Sequence, residues 1–161
     1  MLGDSTSANN QGVIYRAVRK MFEAKDSLEV STRGAAKASI HIEMLEIYND
    51  KVRDLLDPSS GKSHNGVEIN LKISSNEALD NIVATAENEE DVSAYLNFAQ
   101  KRRCVKATKS NSESSRSHLL FTIHFIIENE NNPLMNRSSK LHICDLAGSE
   151  RLAKSGSSTV S

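Results

Sequence analysis

The chain has two cysteines, no long apolar run and almost no excess of either charge, and each shortage removes a class of protein. Cys104 and Cys144 are too few for a disulfide framework and lack CxxC spacing, which fits reduced thiols in a cytosolic protein. No apolar stretch approaches the roughly 18 residues that a membrane helix needs. The start, Met1-Leu2-Gly3-Asp4-Ser5, has no basic segment leading into an apolar one, so neither secretion nor a membrane partner is expected. Twenty Lys and Arg against 21 Asp and Glu leave a formal charge of −1. No whole-chain field marks a nucleic-acid binder. What is present is 161 residues at 38% hydrophobic and 25% charged, about one domain of globular sequence with enough apolar residues for a sizeable core.

Residues 1–11 are small and polar and read as a loop. Ile14, Ala17, Val18, Met21 and Phe22 then recur at helical spacing, which predicts a helix over 12–25 with Arg16, Arg19 and Lys20 on its wet side. Strands and loops follow over 38–73. Ile40, Ile42 and Met44 alternate with His41 and Glu43 before Leu45 and Ile47 take the opposite phase, as a bulge or twist near Leu45 would produce. Val67, Ile69, Leu71 and Ile73 alternate again and predict a half-buried strand after the turn residues at 57–61 and 65–66. Asn88 ahead of Glu89, Glu90 and Asp91 marks a helix start, and the helix over 88–103 closes on Lys101, Arg102 and Arg103, which complement its dipole. A polar loop over 108–118 leads to a strand pair over 118–144. The first strand is apolar on both faces, and the second, Leu141 to Cys144, is short and buried. Helices interleaved with strands indicate an α/β fold with a layered sheet.

Chemistry concentrates near the end. Asp145-Leu146-Ala147-Gly148 follows a strand, and ligands of open α/β sheets bind beyond the carboxyl ends of strands. Asp145 can hold a hydrated Mg²⁺ there, and Gly148 lets a backbone N–H approach a terminal phosphate. Asn111-Ser112-Glu113-Ser114-Ser115-Arg116-Ser117-His118 lies one strand earlier. Its hydroxyls can ligate Mg²⁺ and its guanidinium can pair with carboxylate or phosphate. The five histidines show no zinc-ligand spacing, and those on strands suit packing or hydrogen bonding.

N-x-x-S-S-R-S-H, then a strand, then D-L-A-G-S-E resembles switch I and switch II of the kinesin motor domain. Glu46-Ile47-Tyr48-Asn49-Asp50-Lys51-Val52-Arg53-Asp54-Leu55-Leu56 is similar to another segment of that family, and Thr108 falls at the usual spacing before switch I. The resemblance implies a layered P-loop NTPase-type mixed sheet with flanking helices, present in part, with residues 145–161 forming switch II and the loop after it. Met1-Leu2-Gly3 resembles the stretch just after the family's P-loop, so the chain reads as a partial, central piece of the motor, inactive alone. Gly61-Lys62-Ser63 supplies no substitute, because Leu56 stands where the first P-loop glycine belongs.

Carried over by motif, the resemblance implies catalytic roles for Arg116, Glu150, Ser114 and Gly148. Ser115 and Asp145 would serve the metal, Asp145 through water, and Asn111, Ser114, Ser115 and Gly148 would contact or order the nucleotide site. The implied cofactors are ATP and Mg²⁺ and the implied partner is the microtubule (tubulin), with localisation to cytoplasm and cytoskeleton. Dimerisation through a coiled coil would involve sequence outside this chain. Two functions follow: a segment of an ATP-driven microtubule motor, or a catalytically silent kinesin-like interaction segment.

Overall fold

The computed structural model describes residues 11–60, 63–64, 67–68, 70–74, 77–104 and 117–148. Helix α1 spans Val13–Ser31, with Ile14 and Val18 fully packed inward. It continues past 25 because nothing breaks it: Lys25 and Glu29 pair one turn apart at 3.0 Å, and the next glycine after Gly12 is Gly34. The stop is a Schellman cap in which the Gly34 N–H bonds Glu29 C=O at 2.8 Å and the Arg33 N–H bonds Val30 C=O at 3.1 Å, with both residues at positive φ.

Strand β1 (Ala36–Tyr48) turns into β2 (Lys51–Asp54) through Asn49 and Asp50, at φ 50° and 59°. Two positive φ values in a two-residue loop fit a type I′ turn, whose twist matches the flanking strands. No bulge occurs near Leu45. The register of β1 against β8 (His118–Asn129) is unbroken from Ala36 opposite Asn129 to Ile47 opposite His118. The apolar phase changes because Leu45 is buried on the other face beside buried Met44 and Glu46, while Ile47, on that same face, is exposed.

The strand expected over 67–73 is also absent as one element. Val67–Glu68 (β4) pairs with Ser63–His64 (β3), and Lys72–Ser74 (β5) pairs with Glu77–Leu79 (β6), in two separate antiparallel ribbons. Between them the Leu71 N–H bonds Val52 C=O at 2.9 Å, which draws the chain toward β2.

Strand β7 (Ala84–Ala86) pairs with β1, and helix α2 spans Glu89–Cys104. Asn88 caps α2 by accepting from the Asp91 N–H at 2.9 Å, while Asp91 accepts from the Glu87 N–H at 2.8 Å. After β8, a short 3₁₀ turn at Pro133–Met135 leads into β9, Arg137–Asp145. The expectation of a short buried strand fails here. β9 is longer and exposed over most of its length, because among the described strands it has β8 alone as neighbour.

The sheet runs β2-β1-β8-β9, with β7 beside β1, and every described pairing is antiparallel. Register places Ile40, Ile42 and Met44 on the same face as Leu119, Phe121 and Ile123, and these join Ile14 and Val18 of α1 and Val92, Leu96 and Ala99 of α2 in one core. The opposite face is polar along its middle. There Glu43 meets His124 at 3.0 Å, Thr122 meets His142 at 3.0 Å, and His41 meets Ser39 and Thr85, each at 3.0 Å. His41, His124 and His142 are thus engaged with hydroxyl and carboxylate partners.

Asp54, at the end of β2, is fully buried and fastens three segments. Its carboxylate accepts from the N–H groups of Leu56 at 2.8 Å and Ile82 at 2.6 Å, while its own N–H donates to Ser60 Oγ at 2.8 Å. Burial holds its carboxyl above the usual carboxylate range, outweighing the N–H donors of Ile82, Leu56 and Asp57. The folded chain therefore holds that proton more tightly than the unfolded one. The group's contribution is complete below its unfolded value, near 3.8, and declines as pH rises through the raised folded value. Asp54→Asn leaves one buried N–H without an acceptor and is expected to cost about 1–3 kcal/mol. Urea denaturation across acid pH checks this, with the gap between wild type and variant narrowing as pH rises.

Candidate functional site

Asn111, Ser114, Ser115, Arg116 and Glu150 lie outside the described residues. Asp145 and Gly148 lie within them. Asp145 is the last residue of β9 and stands opposite Leu119, the second residue of β8. Because the two strands are antiparallel, the start of β8 and the end of β9 fall at one end of the sheet. Ser117 and His118, which close the N-x-x-S-S-R-S-H motif, are thereby brought beside the D-L-A-G segment. The link is a hydrogen bond from the Ala147 N–H to His118 Nδ1 at 3.0 Å.

Asp145 is half-buried, and among the described residues no side chain pairs with its carboxylate. A carboxylate at a strand's carboxyl end with its oxygens uncommitted suits Mg²⁺, which takes few protein oxygens and keeps several waters. Among the described residues there is no cluster of three or more His, Cys, Asp or Glu that could enclose a metal by itself. Asp145 therefore fits as a single ligand, direct or through water. Gly148, three residues on, is exposed.

Behind this end of the sheet is a buried ionic cluster that the sequence reading did not identify. Glu46 lies almost fully inside β1, between Arg53 of β2, with Nη1 to Oε2 at 3.6 Å, and Arg103 of α2, with Nε to Oε1 at 3.4 Å. Arg53 also lies over the Tyr48 ring, 5.2 Å from its centroid. Arg103 reaches on to Ser117, donating from Nη2 to Oγ at 3.1 Å. Arg103 is thus more than a complement to the helix dipole, and its neighbour Arg102 is likewise engaged, donating to Ser60 C=O at 2.7 Å. The signal was in the pattern: Glu46 continues the inward series Ile40, Ile42, Met44, and a carboxylate at an inward position requires buried donors.

Cross-strand register aligns these groups. Arg53 stands opposite Glu46, Glu46 opposite Leu119 and Leu119 opposite Asp145, so one row on the helix-covered face runs from the ionic cluster to the candidate metal ligand. At about 4.8 Å per strand, Glu46 and Asp145 are roughly 10 Å apart across that row.

Comparison with known proteins gives this geometry a family. The family model described as the kinesin motor domain matches residues 1–161. The chain belongs to the kinesin motor domain family. It is 34% identical to the kinesin-like protein KIN-14K of Oryza sativa subsp. japonica, over 96% of this chain and 15% of that protein. It is 37% identical to the kinesin-like protein klp-20 of Caenorhabditis elegans, over 97% of this chain and 23% of that one. A solved kinesin, described as "Structure of a fast kinesin: Implications for ATPase mechanism and interactions with microtubules", superposes with a TM-score of 0.78 at 29% identity, covering 98% of this chain and 43% of that chain.

The chain therefore spans less than a quarter of the length of these curated relatives. The antiparallel strands and two helices described above form part of a kinesin, P-loop NTPase-type fold. Kinesin motor domains bind nucleotide and microtubules, and kinesins associate with the cytoskeleton. No described helix is long and apolar enough to cross a membrane.

Proposed function

We propose that this kinesin segment works within a motor domain that couples ATP binding and hydrolysis to movement along microtubules, in the cytoplasm and on the cytoskeleton. Its contribution is the pair of segments that read the terminal phosphate. The observation that carries the reading is the register of β8 against β9. With Leu119 opposite Asp145, the end of N-x-x-S-S-R-S-H and the start of D-L-A-G-S-E share one end of the sheet.

In this reading Ser115 and Asp145 hold Mg²⁺, Asp145 through water, and Ser114 and the Gly148 N–H contact the γ-phosphate. Arg116 and Glu150 pair across the attacking water, and Asn111 orders the segment that precedes them. Bound Mg²⁺ would neutralise charge developing on the phosphate oxygens, and phosphoryl transfer is governed by such positioning and neutralisation. The partner is the microtubule, and dimerisation would use a coiled coil outside this chain.

Steady-state ATPase assays on a motor domain carrying this segment test the proposal. Turnover that rises severalfold when microtubules are added is the expected result. Absence of turnover with and without microtubules would favour the silent interaction segment.

A further inference from the structure

We propose that His118 is a positioning residue that fixes the backbone at 146–148, and thereby the ability of the motor to distinguish ATP from ADP. The inference rests on the function proposed above, which assigns the Gly148 N–H to the γ-phosphate.

The β9 ladder ends at Asp145, so by Ala147 the backbone has left the sheet. His118 supplies a new anchor there, its Nδ1 accepting from the Ala147 N–H at 3.0 Å. An imidazole nitrogen that accepts carries no proton, so the neutral ring bears its hydrogen on Nε2. The peptide plane held by this bond adjoins the one that presents the Gly148 N–H.

His118 is itself firmly placed. It pairs with Ile47 of β1 at the head of β8, and its neighbour Ser117 is buried, with Oγ held by Arg103. Arg103 is fixed in turn by Glu46. Polar contacts on Ser117 and on His118, joined by the peptide bond between the two residues, thus link the sheet interior and the end of α2 to the backbone two residues past Asp145. Both segments assigned to the phosphate meet at His118, since it ends one motif and holds the other.

The test compares three substitutions in a motor domain carrying this segment. His118→Leu removes the acceptor. His118→Asn restores one, with Oδ1 near the position of Nδ1. His118→Gln places its oxygen nearer the position of Nε2, where it cannot reach the Ala147 N–H. Affinities for a non-hydrolysable ATP analogue and for ADP are measured by calorimetry, and hydrogen exchange is followed on peptides covering 145–148.

Loss of one backbone hydrogen bond is expected to lower the preference for the triphosphate about tenfold in His118→Leu and His118→Gln. ADP affinity should be unchanged, exchange at 146–148 faster, and His118→Asn close to wild type. The proposal is overturned if exchange in His118→Leu matches wild type, if ATP-analogue and ADP affinities fall together, or if His118→Asn behaves like His118→Leu. A wild-type domain that binds no nucleotide would refute the proposed function and the sensing role with it, while the exchange data would still decide whether His118 anchors the backbone.

Discussion

Replacing Glu46 with Ala is expected to destabilise the motor domain carrying this segment by about 3–5 kcal/mol, the cost of breaking a buried ionic cluster by removing one member. Glu46 retains 4% side-chain exposure, and its two arginine partners retain 10% and 16%, so little water is available to resolvate the guanidinium groups. The loss is larger than for an exposed pair such as Arg19 with Glu89, at 40% and 44% exposure, where screening leaves about 0–1 kcal/mol. Glu46→Gln keeps the shape and one acceptor but removes the compensating charge, and it should fall between wild type and Glu46→Ala. Equilibrium urea denaturation measures both. A loss below about 1 kcal/mol in Glu46→Ala would mean that the cluster is solvated and does not anchor α2 to the sheet.

The second large effect is on turnover. If Arg116 and Glu150 form a buried pair around the attacking water in the ATP state, removing either leaves an unpaired buried charge at a cost of about 3–5 kcal/mol. Each 1.36 kcal/mol is about a factor of ten in rate, so Arg116→Ala and Glu150→Ala should each lower microtubule-stimulated ATPase by at least about a hundredfold. Nucleotide binding should persist, because the pair closes around the phosphate rather than holding the base or sugar. Equilibrium binding of a fluorescent ATP analogue beside steady-state ATPase separates the two effects. Near-normal rates in both variants would remove the pair from the mechanism.

Sequence periodicity is legible where an element buries one face and carries its own caps. Asn88 and the acids after it announce α2, and the cap forms through Asp91. Periodicity misleads where burial is decided by distant chain. Leu45 looks out of phase only if one face of β1 is wholly wet, and it is buried there, whereas Ile47 is exposed. The alternation over 67–73 is local, whereas the chain there follows Leu71 to β2. The apolar residues of β9 suggested burial, yet exposure follows from its place beside β8 alone among the described strands.

The site divides in the same way. Its motifs are contiguous, so Asp145 and Gly148 could be proposed from the sequence directly. The support beneath them could not, because Glu46 and Arg103 are 57 positions apart and His118 and Ala147 are 29 apart. Arg103 alone, at a helix C-terminus, has a sufficient local explanation in the dipole, and only the fold brings a buried carboxylate to it.

Whether the end of β9 holds the metal of a bound nucleotide is decided by Asp145→Asn. The substitution keeps size and removes charge, so the strand end should stand while the attraction for Mg²⁺ is lost. In the motor domain carrying this segment, calorimetric titrations are run with Mg²⁺-ATP and with ATP in the presence of a chelator. Asp145→Asn is expected to weaken Mg²⁺-ATP binding at least tenfold, roughly the 1.5–3 kcal/mol of a charged interaction, and to leave metal-free ATP unchanged. Equal weakening of both forms would contradict it and make Asp145 a strand-ending turn residue with no part in metal binding.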